Sequence, residues 1–160
     1  MTGARLDGAR PRPHTPGMVE DISSIIEIAA DRERVWEALT QPALVVQWLG
    51  CLQFRPEAGH IFYLQPDRAR RLAGDVTDAI ACRIEVLDHP RRLSFSWGFP
   101  DVPDTWVDIR LRRIPGGTYV RLVHSGWDQF EARETEEVRG GLGSAWHSVA
   151  LPRLRQVAEG

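Results

Sequence analysis

With 160 residues the chain has the length of one ordinary domain, and 42% hydrophobic against 26% charged residues is a soluble globular composition. Twenty arginines and no lysine face 22 acidic residues, for a formal charge of −2. That balance argues against nucleic acid as the main partner, and the missing lysine excludes P-loop, pyridoxal-phosphate and Schiff-base chemistry.

Residues 1–20 carry Pro11, Pro13 and Pro16 with Arg5, Arg10 and Arg12 and no apolar run. They read as a disordered leader, not a secretory signal, ahead of a single domain over 21–160. Ile22 to Ala29 is β-rich and alternates, so it predicts a strand. Asp31 stands where a helix N-cap belongs, and Arg32–Leu39 places Val35, Ala38 and Leu39 at helical spacing. Pro42 ends that helix and opens a second short one, Ala43–Trp48.

From Leu52 the texture changes to strands. Those expected are Leu52–Phe54, His60–Gln65, Arg71–Thr77, Ala79–Leu87, Arg92–Trp97, Thr105–Ile114 and Thr118–His124. Pro90 marks one turn, and Gly116-Gly117 reads as a hairpin. Alternation puts Ile80, Cys82, Ile84 and Val86 on one face, as it does Val107, Ile109 and Leu111, and Val120, Leu122 and His124. This is an antiparallel sheet with one wet and one buried face. The cover is a long helix from about Thr135 to Ala158, with Leu142, Trp146, Val149/Ala150, Leu154 and Val157 on one stripe. The longest apolar stretch, Ala43–Leu52, is interrupted by Gln47 and is half of what a membrane span needs.

A sheet wrapped on a helix leaves concave apolar space in which small ligands bind. Trp97 lies on the inward Leu93/Phe95 face, and Trp146 faces it from the helix. Trp127 follows the last strand, near the entrance. His124 points inward at a strand end, either as a structural clasp or as a polar anchor or proton donor, and is the candidate catalytic residue. His147, beside Trp146, is a second candidate. The expected ligand-binding set is Trp97, His124, Trp146, Phe95, Trp127 and His147. Trp36 and Trp48 read as structural. Trp106, on the wet face, marks a contact surface for a partner or for a second copy in a homodimer. His14, His60 and His89 read as surface residues.

No histidine spacing suits a metal and no cofactor fingerprint is present: Gly140-Gly141-Leu142-Gly143 follows an acidic helical stretch, not a strand. Cys51 and Cys82 form no disulfide framework or zinc motif, which fits a cytoplasmic protein.

The pattern Ile26-x-Ile28-Ala29, Val35-Trp36-x-Ala38-Leu39-Thr40-x-Pro42 and Trp48 resembles the opening of the START-like (SRPBCC) superfamily. It is most similar there to bacterial AHSA1-like proteins, homologues of the activator of Hsp90 ATPase. Pro90-x-Arg92-Leu93-x-Phe95-x-Trp97, Gly117-Thr118-x-Val120-x-Leu122-x-His124-Ser125-Gly126 and Leu151-x-x-Leu154 extend the resemblance over residues 21–158. It implies an α+β helix-grip fold, a curved antiparallel sheet around a long C-terminal helix. The superfold hosts lipid carriers, polyketide cyclases, hormone receptors and co-chaperone domains. The functions it implies are therefore binding of a small hydrophobic or amphipathic molecule, a co-chaperone role, or cyclase or dehydratase chemistry at His124. Pro152 departs from the pattern and is expected to kink or end the last helix.

Overall fold

The computed structural model describes residues 20–99, 102–129 and 132–160, with the side chains of 132–137 left undescribed. The expected leader therefore lies, but for Glu20, outside the described residues.

Strand β1 (Ile22–Ile28) alternates buried and exposed residues along its whole length, as its sequence dictates. Helix α1 (Arg32–Thr40) starts at Asp31, whose carboxylate accepts the Arg34 N–H at 2.8 Å. Helix α2 (Pro42–Leu49) has proline in its first turn, where the missing N–H costs nothing, and ends at Gly50 in the left-handed conformation. Trp48 pins α2 to α1 by donating its indole N–H to the Ala38 carbonyl at 2.8 Å. Trp36 is buried with its ring edge-to-face against His89, so both tryptophans are structural.

Six further strands follow: β2 (Cys51–Leu52), β3 (Ile61–Leu64), β4 (Ile80–Asp88), β5 (Arg92–Trp97), β6 (Thr105–Ile114) and β7 (Gly117–Ser125). They form one antiparallel sheet in the order β1-β7-β6-β5-β4-β3-β2. A register shift between Ile84 and Val86 puts a bulge in β4, a feature that sharpens local twist and curvature. The hairpin at Gly116-Gly117 joins β6 to β7 as expected. Gly117 is obligatory, since an added Cβ would fall 2.1 Å from the Ile28 carbonyl oxygen.

One expected strand is not a strand. Arg71–Thr77 lies instead in a short helix, α3 (Arg68–Leu72), and the turns after it. Asp67 caps that helix on the Arg70 N–H, and Arg68-Ala69-Arg70-Arg71-Leu72 consists of good helix formers without β-branching. Leu52–Phe54 shrinks to the two residues of β2 because Gln53 adopts positive φ.

The sheet closes on a C-terminal helical arm of α4 (Ala132–Ala145), a π turn (Trp146–Ala150) and α5 (Leu151–Glu159). Leu93, Phe95, Val107, Ile109, Val120 and Leu122 are all buried beneath it. The π turn changes which residues face the sheet. The Leu151 N–H bonds the Trp146 carbonyl, five residues back, so one extra residue enters the turn. The buried stripe therefore runs Trp146, Leu151, Leu154 and Ala158, while Val149 is 43% exposed and Val157 half-buried. Pro152 sits in the first turn of α5, directly after the π turn, where its ring and missing N–H fit an already interrupted ladder.

The arm is also tied to the β1 edge and to α1 by polar side chains. Arg155 donates to the Glu27 carbonyl, Glu159 accepts the Ala29 N–H, and Arg34 reaches the Val157 and Ala158 carbonyls. Groups on an edge strand that invite pairing with another chain are thereby occupied.

Candidate functional site

The C-terminal end of β7 turns His124 into the core, where it is fully buried. Three indoles surround it. Its ring centroid lies 4.7 Å from Trp127, 5.2 Å from Trp97 and 6.2 Å from Trp146, and Trp97 and Trp146 meet edge-to-face at 5.4 Å. β5 delivers Trp97, β7 delivers His124, a 3₁₀ turn (Trp127–Gln129) delivers Trp127, and the π turn delivers Trp146.

The hydrogen bonds fix the imidazole's tautomer. Trp146 Nε1 can only donate, and it lies 3.1 Å from His124 Nδ1, so Nδ1 carries no proton. The proton sits on Nε2 and is donated to Thr105 Oγ1 at 2.7 Å. Thr105 passes its own hydroxyl proton to the Trp97 carbonyl at 3.3 Å, and the Trp127 indole donates to the His124 carbonyl at 2.9 Å. The imidazole is neutral, and burial pushes its pKa down to about 3.

The expected site residues thus divide. Trp97, His124, Trp127 and Trp146 come together in one cluster. Phe95 is buried next along β5, with its ring edge-on to Phe62 at 5.3 Å, so it belongs to the neighbouring core. His147 does not join them. The helix turns it outward, exposed, with Nδ1 3.3 Å from Ser24 Oγ on β1. Thr105, which the sequence did not single out, is the partner that orients His124.

One atom in the cluster stands apart. Trp97 Nε1–H is buried and has no hydrogen-bond partner among the described residues. Trp106, expected on the wet face, is half-buried and packs over Gly126, where an added Cβ would meet its ring at 2.9 Å.

Other candidate chemistry is quiet. Cys82 is fully buried, and burial pushes its thiol pKa well up; burial likewise pushes Cys51 up to about 12, so neither is a nucleophile at neutral pH. Among the described residues no group of three or more His, Cys, Asp or Glu is placed to hold a metal ion. No described helix is long and apolar enough to cross a membrane.

The family described as "Activator of Hsp90 ATPase homolog 1-like protein" (AHSA1) matches residues 29–152. The chain belongs to the AHSA1-like family. Its fold is shared with solved structures across bacteria. It is 25% identical to protein MLL2253 of Mesorhizobium loti, covering 88% of this chain and 97% of that one at a TM-score of 0.72. Protein BH1534 of Bacillus halodurans is 27% identical, with coverage of 88% and 98% and a TM-score of 0.70. DynU16, a protein from the dynemicin biosynthetic locus, is 21% identical; this chain spans 87% of itself and 47% of that chain, at a TM-score of 0.67. No protein with curated function gave a significant sequence match. The family match, together with the shared fold, places the chain in the START-like superfamily with a helix-grip fold.

Proposed function

We propose that this AHSA1-like chain binds a small, largely apolar molecule between the sheet and the C-terminal arm, with one acceptor group directed at Trp97. The supporting observation is the indole N–H of Trp97, without a partner among the described residues and 96% buried against the rings of His124 and Trp146. An unsatisfied buried donor costs about 1–3 kcal/mol. A ligand carbonyl or hydroxyl would recover that cost, and the surrounding indoles supply apolar wall. Sparse polar groups in an apolar lining are the usual composition of a small-molecule site.

His124 then acts as a positioning residue. Both its nitrogens are engaged, so it holds Trp146 and Thr105 in place and is not free to trade a proton with a substrate. This favours binding over cyclase or dehydratase chemistry at His124. The buried free thiols Cys51 and Cys82 fit a reducing cytoplasm.

The test pairs 1-tetralone with its hydrocarbon counterpart, tetralin. Titrated into ¹⁵N-labelled protein, the ketone should shift the Trp97 indole resonance, identified by its loss in Trp97→Phe, and should bind about tenfold tighter than tetralin. Trp97→Phe should abolish that preference while tetralin still binds. If neither compound perturbs any of the six indole resonances, the proposal falls.

A further inference from the structure

At the opposite end of β7 from His124, a cleft of about 440 Å³ opens between the β1–α1 junction and the β6–β7 hairpin. Its walls are Ala29, Ala30, Asp31 and Arg32 on one side, with Arg113, Ile114, Gly116 and Gly117 on the other. We propose that this cleft binds a small organic anion, a carboxylate or phosphate on a short apolar body, through Arg32 and Arg113.

The two arginines carry the argument. Arg32 is half-buried, and its Nε is out of contact with solvent and has no hydrogen-bond partner among the described residues. Neither Arg32 nor Arg113 makes an ion pair with another described residue. Their neighbours differ. Arg34 spends its guanidinium on the Val157 and Ala158 carbonyls and on Glu37, and Arg112 stacks on Tyr119. Burying a guanidinium N–H without an acceptor is unfavourable, and the planar fork of arginine matches the paired oxygens of carboxylate and phosphate.

The rest of the cleft agrees with that chemistry. Asp31 is the one carboxylate in its lining, and it is engaged in capping α1 through the Arg34 N–H. Two cations against one acid leave a positive balance, to which the N-terminal end of α1 adds its partial positive charge. Ala29, Ala30 and Ile114 give an apolar wall for the body of the ligand. Gly117 lets the hairpin approach β1 closely enough to form the floor, since no side chain fits beside the Ile28 carbonyl. The volume exceeds that of a bare oxyanion and suits a molecule of ring size.

The experiment is calorimetric titration at low ionic strength with phenyl phosphate, benzoate, inorganic phosphate and, as the neutral control, benzyl alcohol. Phenyl phosphate or benzoate should bind, and benzyl alcohol should not. Arg113→Gln and Arg32→Gln should each weaken binding tenfold or more. Arg121→Gln, which removes an exposed charge from the middle of β7, should change it less than twofold. Inorganic phosphate binding as tightly as phenyl phosphate would support the site with the anionic head sufficient. Absence of binding by every anion, binding of benzyl alcohol, or equal weakening by Arg121→Gln would overturn the proposal. Should Arg32→Gln fail to fold, the exposed Arg113 decides.

Discussion

The two ends of β7 solve opposite problems with the same strand. At His124 the strand ends in a fully desolvated cluster, where a polar ring is tolerated because both nitrogens are bonded. At Gly117 it begins beside an open cleft lined by Arg32 and Arg113, neither of which makes an ion pair with a described residue. The first end is enclosed and neutral, and the second is open and positive. Buried polarity is held only where the inventory of donors and acceptors nearly closes. The exception at each end, Trp97 Nε1 in one and Arg32 Nε in the other, is therefore the informative atom.

The largest effect that separates the ends should come from Trp146→Ala. It removes a wall of the cluster and leaves His124 Nδ1 without its donor, so a loss of about 3–5 kcal/mol is expected in urea unfolding. A loss below about 1 kcal/mol would mean the cluster is loosely packed and the contrast between the ends is false.

Acid should discriminate next. The folded pKa of His124 is about 3, against about 6.5 in an unfolded chain. Between those values the unfolded state binds the proton and the folded state does not. Stability from this group is thus complete above pH 6.5 and is lost as pH falls toward 3, at about 1.4 kcal/mol per pH unit. The measurement is the pH dependence of unfolding free energy in wild type and His124→Phe. The variant should lose that part of the slope, and identical slopes would show that the imidazole titrates freely when folded.

Much of this arrangement is legible in the sequence, and the gaps have physical causes. Period-2 alternation in β6 and β7 is enough to turn Val107, Ile109, Val120, Leu122 and His124 inward, because a strand has only two faces. Asp31, Pro42 and Gly116-Gly117 mark boundaries by local chemistry that needs no tertiary context. Arg71–Thr77 misleads because it has neither period clearly, and a capping aspartate at Asp67 decides it. The inward place of Leu151 is invisible to a 3.6-residue stripe, since a π turn shifts the register by one residue in the middle of the arm. The role of Thr105 is hidden too: it is nineteen residues from His124 in the chain and becomes its partner only through the β6–β7 ladder. The arginine cleft joins positions about eighty residues apart, and no spacing rule connects Arg32 with Arg113.

A smaller effect is expected at Gly117. In Gly117→Ala the new methyl would fall 2.1 Å from the Ile28 carbonyl oxygen, so β1 and the hairpin must separate. About 1–3 kcal/mol should be lost, with the disturbance confined to that end. Amide shifts around Ala29, Ala30 and Ile114 should move while the Trp97 and Trp146 indole resonances stay in place. Indole shifts as large as those at the hairpin would show that the ends communicate.

The smallest expected effect is the absence of one. Gly117 and His124 are seven residues apart on an extended strand, roughly 23 Å at ~3.3 Å per residue. Sites that far apart without shared partners act independently to within about 0.5 kcal/mol. Arg113 is exposed and makes no ion pair with a described residue, so Arg113→Gln should leave unfolding free energy unchanged within about 0.5 kcal/mol. It should also leave the preference for 1-tetralone over tetralin intact. Conversely, Trp97→Phe should leave phenyl phosphate affinity untouched. In the double variant each ligand should therefore bind as it does to the single variant that affects its own site. An interaction above about 1 kcal/mol, measured by completing that cycle, would mean that occupancy of the charged cleft is felt at the aromatic cluster, and the two ends of β7 would have to be treated as one coupled site.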